Sequence, residues 1–180
     1  MALIVDDHAM VREGLRRALE TRWSFSIYEA SSINEARAQI ARVNPNLLIL
    51  DINLPDGSGL EIAQWVRSLS QTVAIVILTL NEKDEFVIAA MKAGASAFVN
   101  KSAPLADFLA AIDHALSSPG TFSAQDLAGA LNRKNETFGL SQRELQILGT
   151  LHVGQPLKEL SASLFISEST LKTHLNTIYR

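Results

Sequence analysis

Five side chains define the chemistry open to this sequence: Asp6 and Asp7, Asp51, Thr79 and Lys101. Each follows an apolar run short enough to be a buried strand. Asp6 and Asp7 close Leu3–Val5, Asp51 closes Leu47–Leu50, Thr79 closes Ala74–Leu78, and Lys101 stands just behind Ala97–Val99. In an open parallel α/β sheet, ligands bind outside the carboxyl ends of the strands, so these distant positions are expected to converge on one rim. Carboxylates gathered in one place repel each other. A hard divalent cation relieves that repulsion, and a site with few carboxylates, retained waters and a phosphoryl oxygen suits Mg2+. A carboxylate beside Mg2+ can attack a phosphoryl donor and become an acyl phosphate, while the metal offsets charge on the transferred group. Asp51, on the central strand, is the expected nucleophile, with Asp6 and Asp7 as metal ligands beside it. The Thr79 hydroxyl can bond one phosphoryl oxygen, and the Lys101 ammonium can pair with another as a mobile point charge.

Taken singly, each residue also has an ordinary reading. Asp51 reads as a loop acid after a strand, Asp6 and Asp7 as a helix N-cap, Lys101 as a solvated surface charge, and Thr79 as a strand-end turn residue. Phe98 alone reads as core. His8, beside the acids, reads as a surface residue at a helix start. Leu54-Pro55-Asp56-Gly57 is turn chemistry, with Gly57 supplying permissive backbone angles. Joint placement at one sheet edge favours the functional reading.

The elements that must position these residues are legible as an alternation over residues 1–117. The strand runs are Leu3–Val5, Phe25–Glu29, Leu47–Leu50, Ala74–Leu78 and Ala97–Val99. They are apolar without alternation, as in strands buried on both faces. Helical stripes separate them: Val11, Leu15, Ala18 and Leu19; Ile33, Ala36, Ile40 and Val43; Ile62, Val66 and Leu69; and Leu105, Phe108, Leu109, Ile112 and Leu116. Ser32 with Glu35, and Ser58 with Glu61, fit the capping box. Five βα units in a row imply right-handed crossovers and a doubly wound (βα)5 parallel sheet of flavodoxin-like order 2-1-3-4-5, with helices on both faces.

Ser117-Ser118-Pro119-Gly120 interrupts the alternation, and 118–137 reads as a linker with one short helix around Leu127–Leu131. Residues 138–180 read as a small all-α module. Ser141 and Glu144 form another capping box. Leu145, Ile147, Leu148 and Leu151 follow, and Gly154 and Pro156 stop that helix. A short helix near Leu157–Leu164, a tight turn at Phe165-Ile166 and a helix capped by Ser167 make a helix-turn-helix. In the last helix, Glu168–Tyr179, Leu171, Leu175 and Ile178 are expected to pack inward. Lys172, Thr173 and Asn176 lie on the other side, able to reach base edges in a major groove. Ser167, Ser169 and Thr170, at the helix start, can bind phosphates. By pattern alone, a helical hairpin with a solvated polar face fits equally well.

Composition narrows the classes. The 180 residues carry a formal net charge of −3, so any contact with DNA must be local. Residues 1–120 hold ten basic against fourteen acidic side chains, and 137–180 hold four against three. That asymmetry has the sign of an acidic regulatory domain and a DNA reader. There are no cysteines, which excludes disulfides, thiol nucleophiles and cysteine-based metal sites. The first residues lack a signal-peptide pattern, and the apolar runs are too short for a bilayer span. The expectation is a cytoplasmic protein with no membrane segment. No G-x-G-x-x-G or G-x-x-x-x-G-K-[ST] loop is present, against nucleotide binding, and no Ser-His-Asp set is evident.

The segments LIVDDH, LLILDINLPDGSGLEI, VILTL and GASAFVNKSAP resemble the receiver domain of two-component response regulators over roughly residues 2–117. The stretch from about 139 onward resembles the LuxR-type helix-turn-helix. Together they are similar to the NarL/FixJ type. The resemblance implies that Asp51 takes a phosphoryl group from a sensor histidine kinase and that the protein regulates transcription at promoter DNA, rather than acting as an enzyme. It implies that Asp6, Asp7 and Asp51 hold Mg2+ with the backbone carbonyl of Asn53. Thr79 and Phe98 become the switch pair, Lys101 binds the phosphoryl group, and Asn81 influences its lifetime. Family members continue past residue 180 with the rest of the recognition helix and a dimerisation helix, so the C-terminal module is expected to be incomplete, and homodimerisation is open. Two rivals remain. One is a phosphorylation-independent or truncated receiver that acts as an interaction module without DNA binding. The other is a phosphatase with an aspartyl intermediate, though such enzymes carry a second Asp where this chain has Asn53.

Overall fold

A computed structural model of the chain describes residues 1–81, 83–136, 140–150 and 156–178. Two compact units are present, Met1–Ala130 and Leu131–Arg180.

The first unit is a doubly wound parallel sheet. Its elements run β1 (Ala2–Val5), α1 (Ala9–Glu20), β2 (Ile27–Ala30), α2 (Ile33–Val43), β3 (Leu47–Asp51), β4 (Asn53–Leu54), β5 (Gly57–Ser58), α3 (Gly59–Leu69), β6 (Ala74–Thr79), α4 (Asp84–Lys92), β7 (Ala97–Asn100), α5 (Leu105–Ser117) and β8 (Ser123–Ala124). The sheet order is β2-β1-β3-β6-β7-β8. Its first five strands reproduce the expected 2-1-3-4-5 order. All their pairings are parallel, as helical crossovers between strands of one sheet require. β1, β3 and β6 are buried along their whole length, which explains their unbroken apolar runs.

Alternation along each strand sorts the side chains into two cores. Leu3, Leu48, Leu50, Ile75, Ile77 and Phe98 face one side, under Ile33 and Ala36 of α2, Ile62 and Val66 of α3, and Val87 and Ala90 of α4. Ile4, Ile49, Val76 and Val99 face the other, under Leu19 of α1 and Phe108 and Ile112 of α5. Two stripe residues are exposed. Leu69, at the last turn of α3, is 69% exposed, and Leu105, at the first turn of α5, is 55% exposed. Both stand at helix ends, where the stripe runs past its sheet.

Local signals behave as their chemistry requires. Ser58 and Glu61 make the reciprocal capping box of α3, and Ser32 accepts from Glu35 N–H at α2. The Pro55–Gly57 turn joins the antiparallel pair β4–β5, with Gly57 at φ +148°, a backbone region disfavoured for L side chains. Asp56 in that turn accepts the N–H groups of Ile33 (2.7 Å) and Asn34 (3.0 Å), so it holds the start of α2 from outside the helix.

β8 pairs with β7 at the sheet edge, with Ala124 in register beside Phe98. It is tied down by Ser96, whose hydroxyl donates to Pro119 O (2.7 Å) and accepts from Ile75 N–H (3.1 Å). Arg67 of α3 donates to the carbonyls of Gly94, Ser70, Val73 and Pro119 and to Ser96 Oγ. The helix α6 (Leu127–Glu136) follows. Phe122, Ala124, Leu127 and Ala130 pack into the α2–α4 core.

The second unit contains α7 (Gln142–Thr150), α8 (Leu157–Ser163) and α9 (Glu168–Ile178). Ile147, Leu160, Leu164 and Leu171 form its core, with Ile166, Leu175 and Ile178 against them. Ser141 donates to Glu144, and Glu144 N–H donates back to Ser141 Oγ. Phe138, Leu151, Gly154 and Tyr179, named in the sequence reading, lie outside the described residues. No helix among the described residues is long and apolar enough to cross a membrane.

Candidate functional site

The carboxyl ends of β1, β3, β6 and β7 bring the chemical side chains together. Asp6 follows the last residue of β1 and Asp51 ends β3; the pairing Val5 with Leu50 sets them side by side. Both are buried, at 1% and 5% exposure, whereas Asp7 faces solvent. Lys101, one residue past β7, inserts its ammonium between the buried acids, 2.6 Å from Asp6 Oδ2 and 2.7 Å from Asp51 Oδ2. Burial alone would pull the Lys101 ammonium down, but hydrogen bonds and attraction from Asp51 and Asp6 outweigh it and raise its pKa above the ordinary value. The ammonium is therefore fully charged at neutral pH.

Thr79 ends β6 in full burial. Its hydroxyl accepts from Asn81 N–H (3.2 Å), and its carbonyl accepts from Lys101 N–H (2.8 Å), linking the threonine and lysine strand ends. Phe98 sits on β7 opposite Ile77 and packs into the α2–α4 core at 8% exposure. Alternation places Thr79 on the same sheet face as Ile77, and so as Phe98. Asn53, two residues after Asp51, donates its N–H to Asp51 Oδ1 at 3.3 Å.

Several supporting residues carry no sequence pattern. Arg12 of α1 donates to the backbone carbonyl of Asp6 (2.8 Å) and to Glu29 (2.8 Å), and Arg16 also pairs with Glu29. Burial would raise Glu29, but hydrogen bonds from both guanidiniums hold it below the usual carboxylate range. Gly59 lies so close to the end of β3 that a Cβ there would stand 1.9 Å from the Asp51 carbonyl oxygen. Such close approach is a stronger reason for glycine than any turn. His8 turns its ring toward the acids, with Nδ1 2.6 Å from Asp7 Oδ1 and 3.3 Å from Asp6 Oδ1.

The donor set fits a divalent cation. One ligand atom each from Asp6, Asp7, His8 and Asp51 all lie within 4.8 Å of one another. Asp6 Oδ2 is buried and meets the Lys101 ammonium at 2.6 Å. Three carboxylates against one ammonium leave the rim negative by two charges.

In the second unit, Ser167 starts α9: its hydroxyl accepts from Thr170 N–H (3.1 Å) and contacts the Ser169 and Thr170 hydroxyls (2.8 Å each). Leu171, Leu175 and Ile178 face the core as expected. Lys172, Thr173 and Asn176 are exposed, as are Ser167, Ser169 and Thr170. Phe165, in the turn, takes a left-handed φ of +55°, and Arg143 of α7 donates to the Leu164 carbonyl beside it (2.6 Å).

Comparison with known proteins matches both units. The model of the response regulator receiver domain matches residues 2–113, and that of bacterial regulatory proteins of the luxR family matches 139–180. The nitrate/nitrite response regulator protein NarL of Escherichia coli K12 is 30% identical over 182 residues, spanning 96% of this chain and 84% of its own. The DNA-binding transcriptional activator DevR/DosR of Mycobacterium tuberculosis is 29% identical over 183 residues, spanning 97% and 84%. The crystal structure of a LuxR-family two-component response regulator from Aurantimonas sp. SI85-9A1 aligns with a TM-score of 0.67 at 30% identity, covering 75% of this chain and 96% of that one.

Proposed function

The chain belongs to the NarL/FixJ-type response regulators, a receiver domain joined to a LuxR-type DNA-binding domain, and from that premise we propose that Asp51 accepts a phosphoryl group from a sensor histidine kinase and that its phosphorylation controls DNA binding. The observation that carries this is the buried pair Asp6 and Asp51 on adjacent strand ends, bridged by Lys101 at 2.6 and 2.7 Å.

In this reading the Asp51 carboxylate attacks the phosphorus of a phosphohistidine. A P–O bond forms, the P–N bond breaks, and the electron pair leaves with the donor imidazole. Asp6, Asp7, Asp51 and the Asn53 carbonyl would hold Mg2+, which would supply charge neutralisation for the transferred group. Lys101, already charged, moves its contact from the carboxylates to a phosphoryl oxygen. The Thr79 hydroxyl donates to another, giving up its acceptance from Asn81 N–H, and the Phe98 ring on the same sheet face responds to that movement. A cavity of about 310 Å3 beside Lys101, lined by Met10, Gly14, Leu105 and Phe108, offers an apolar seat for the donor protein between α1 and α5. Met10 is almost fully exposed there.

The DNA reader is α9, with Lys172, Thr173 and Asn176 toward the groove and Ser167, Ser169 and Thr170 toward phosphates. Its partner is duplex DNA, bound as a homodimer in the full regulatory cycle. Residues 1–117 serve as the receiver, 118–137 as the linker and 138–180 as the DNA-binding module in this reading, with the first compact unit, Met1–Ala130, taking in part of the linker. The setting is the cytoplasm.

A small-molecule phosphodonor with Mg2+ should add one phosphoryl group to the wild-type chain and none to Asp51→Asn, read by intact mass. No addition to wild type, or equal addition to both, refutes the assignment.

A further inference from the structure

One donor at the acidic rim has no part in the phosphoryl chemistry above. His8 is the N-cap of α1, yet its side chain caps nothing. Its backbone N–H instead donates to Asp6 Oδ1 (2.9 Å), and its ring, 68% exposed, folds back so that Nδ1 meets Asp7 Oδ1 at 2.6 Å and Asp6 Oδ1 at 3.3 Å. The imidazole nitrogen and one oxygen from each of Asp6, Asp7 and Asp51 share a space in which no two lie more than 4.8 Å apart. Around an ion with bonds of about 2.1 Å, ligand atoms stand roughly 3 Å apart when adjacent and roughly 4 Å apart when opposite. Shifts of about an ångström or less therefore close the set. The Asp6 carboxylate is 1% exposed, and its Oδ2 meets the Lys101 ammonium at 2.6 Å.

An all-oxygen set suits magnesium, whereas an imidazole suits first-row transition ions, which bind mixed nitrogen and oxygen sites more tightly. We propose that His8 is an additional ligand of this site and gives it a preference for a divalent transition ion over magnesium. This rests on the reading of Asp6, Asp7 and Asp51 as a divalent-cation site. The His8 ring is exposed, whereas the Lys101 side chain is 9% exposed. His8 adds affinity without adding charge.

Titration calorimetry with MgCl2 and with CoCl2 alone, on wild type and His8→Gln, tests this. The substitution removes no helix-cap hydrogen bond, since the wild-type ring makes none. Wild type should bind Co2+ more tightly than Mg2+, and His8→Gln should lose about tenfold or more of its Co2+ affinity, a clearly larger factor than its loss for Mg2+. In parallel, Co2+ should shift the His8 ring protons of wild type far outside their normal NMR range. An equal Co2+ to Mg2+ ratio in the two proteins, or unshifted His8 ring protons in the Co2+ complex, overturns the role of His8 while the divalent site stands. Failure of wild type to bind either ion overturns the site itself, and with it this inference.

Discussion

Replacing Lys101 by methionine tests the electrostatics of the rim most directly. The lysine side chain is 9% exposed and the side chains of the acids it bridges are 2% and 6% exposed, so solvent screens the contact little. Methionine keeps the aliphatic bulk and removes only the charge. Removing one partner of a buried ion pair costs about 3–5 kcal/mol, because the other charge is left uncompensated. Lys101→Met is therefore expected to lose about 3–5 kcal/mol at pH 7 without divalent ions. That is a large part of the roughly 5–15 kcal/mol that holds a domain folded. Mg2+ should restore stability, by about 2.7 kcal/mol at a hundredfold excess over its dissociation constant. The gain should be greater in the variant, where no ammonium competes for the same oxygens. Urea titrations followed by tryptophan fluorescence, with and without Mg2+ at pH 7, measure this. A variant within about 1 kcal/mol of wild type at pH 7 in the absence of metal would refute the reasoning, as would equal rescue of both proteins. In wild type, the raised Lys101 pKa fixes a second limit. Its stabilising contribution is complete below the ordinary value of 10.5 and is lost as pH rises through the higher folded value.

Other substitutions probe the supporting framework. Gly59→Ala would place a Cβ 1.9 Å from the Asp51 carbonyl oxygen. It should cost about 1–3 kcal/mol in urea and slow phosphorylation by about tenfold or more through displacement of Asp51; a normal phosphorylation rate would count against tight backbone packing there. Ser96→Ala removes the hydroxyl shared by Ile75 N–H, Pro119 O and Arg67; about 1–3 kcal/mol should disappear, since the Ile75 N–H stays buried without a partner. Asp56 and Glu35 are held below the usual carboxylate range, chiefly by the backbone N–H groups of Ile33 and Ser31 respectively. Their contribution is present above that range and lost as pH falls through the depressed values, so Asp56→Asn should flatten the acid limb of stability in circular dichroism. Lys172→Ala should weaken binding to a random-sequence DNA duplex and reduce the salt slope by about one, as loss of one phosphate contact does, or relax sequence preference if it reads a base.

How much of this could be read beforehand depended on whether a feature left a local trace. Asp51, Thr79 and Asp6 are polar residues that end fully buried apolar strands, and such a break stands out in any sequence. The edge strand was harder. Phe25–Glu29 marks apolar residues, yet the ladder begins at Ile27, because Phe25 packs beneath the α1–α5 core before the chain enters the sheet. The fourth helix had no stripe assigned to it, although Val87, Ile88 and Ala90 are buried. Arg12, Arg67 and Ser96 act through bonds to backbone carbonyls and amides remote in sequence. Backbone partners look alike at every position, so composition and spacing cannot reveal such bonds. The turn of His8 toward Asp7 is of the same kind: DDH fixes neighbours on the chain, not the direction of a ring.

The sixth strand also bears on modular exchange. Receivers joined to different effectors are natural sources of chimeras, and Ser117, the end of α5, is the obvious seam. A graft cut there would discard Ser123 and Ala124 and leave one flank of β7 without its ladder partner. An uncovered parallel edge is an invitation to self-association. The same cut removes the carbonyl on which Arg67 and Ser96 converge. A splice after Ala130 keeps both, and chimeras built at that later junction should remain monodisperse where the shorter ones clump.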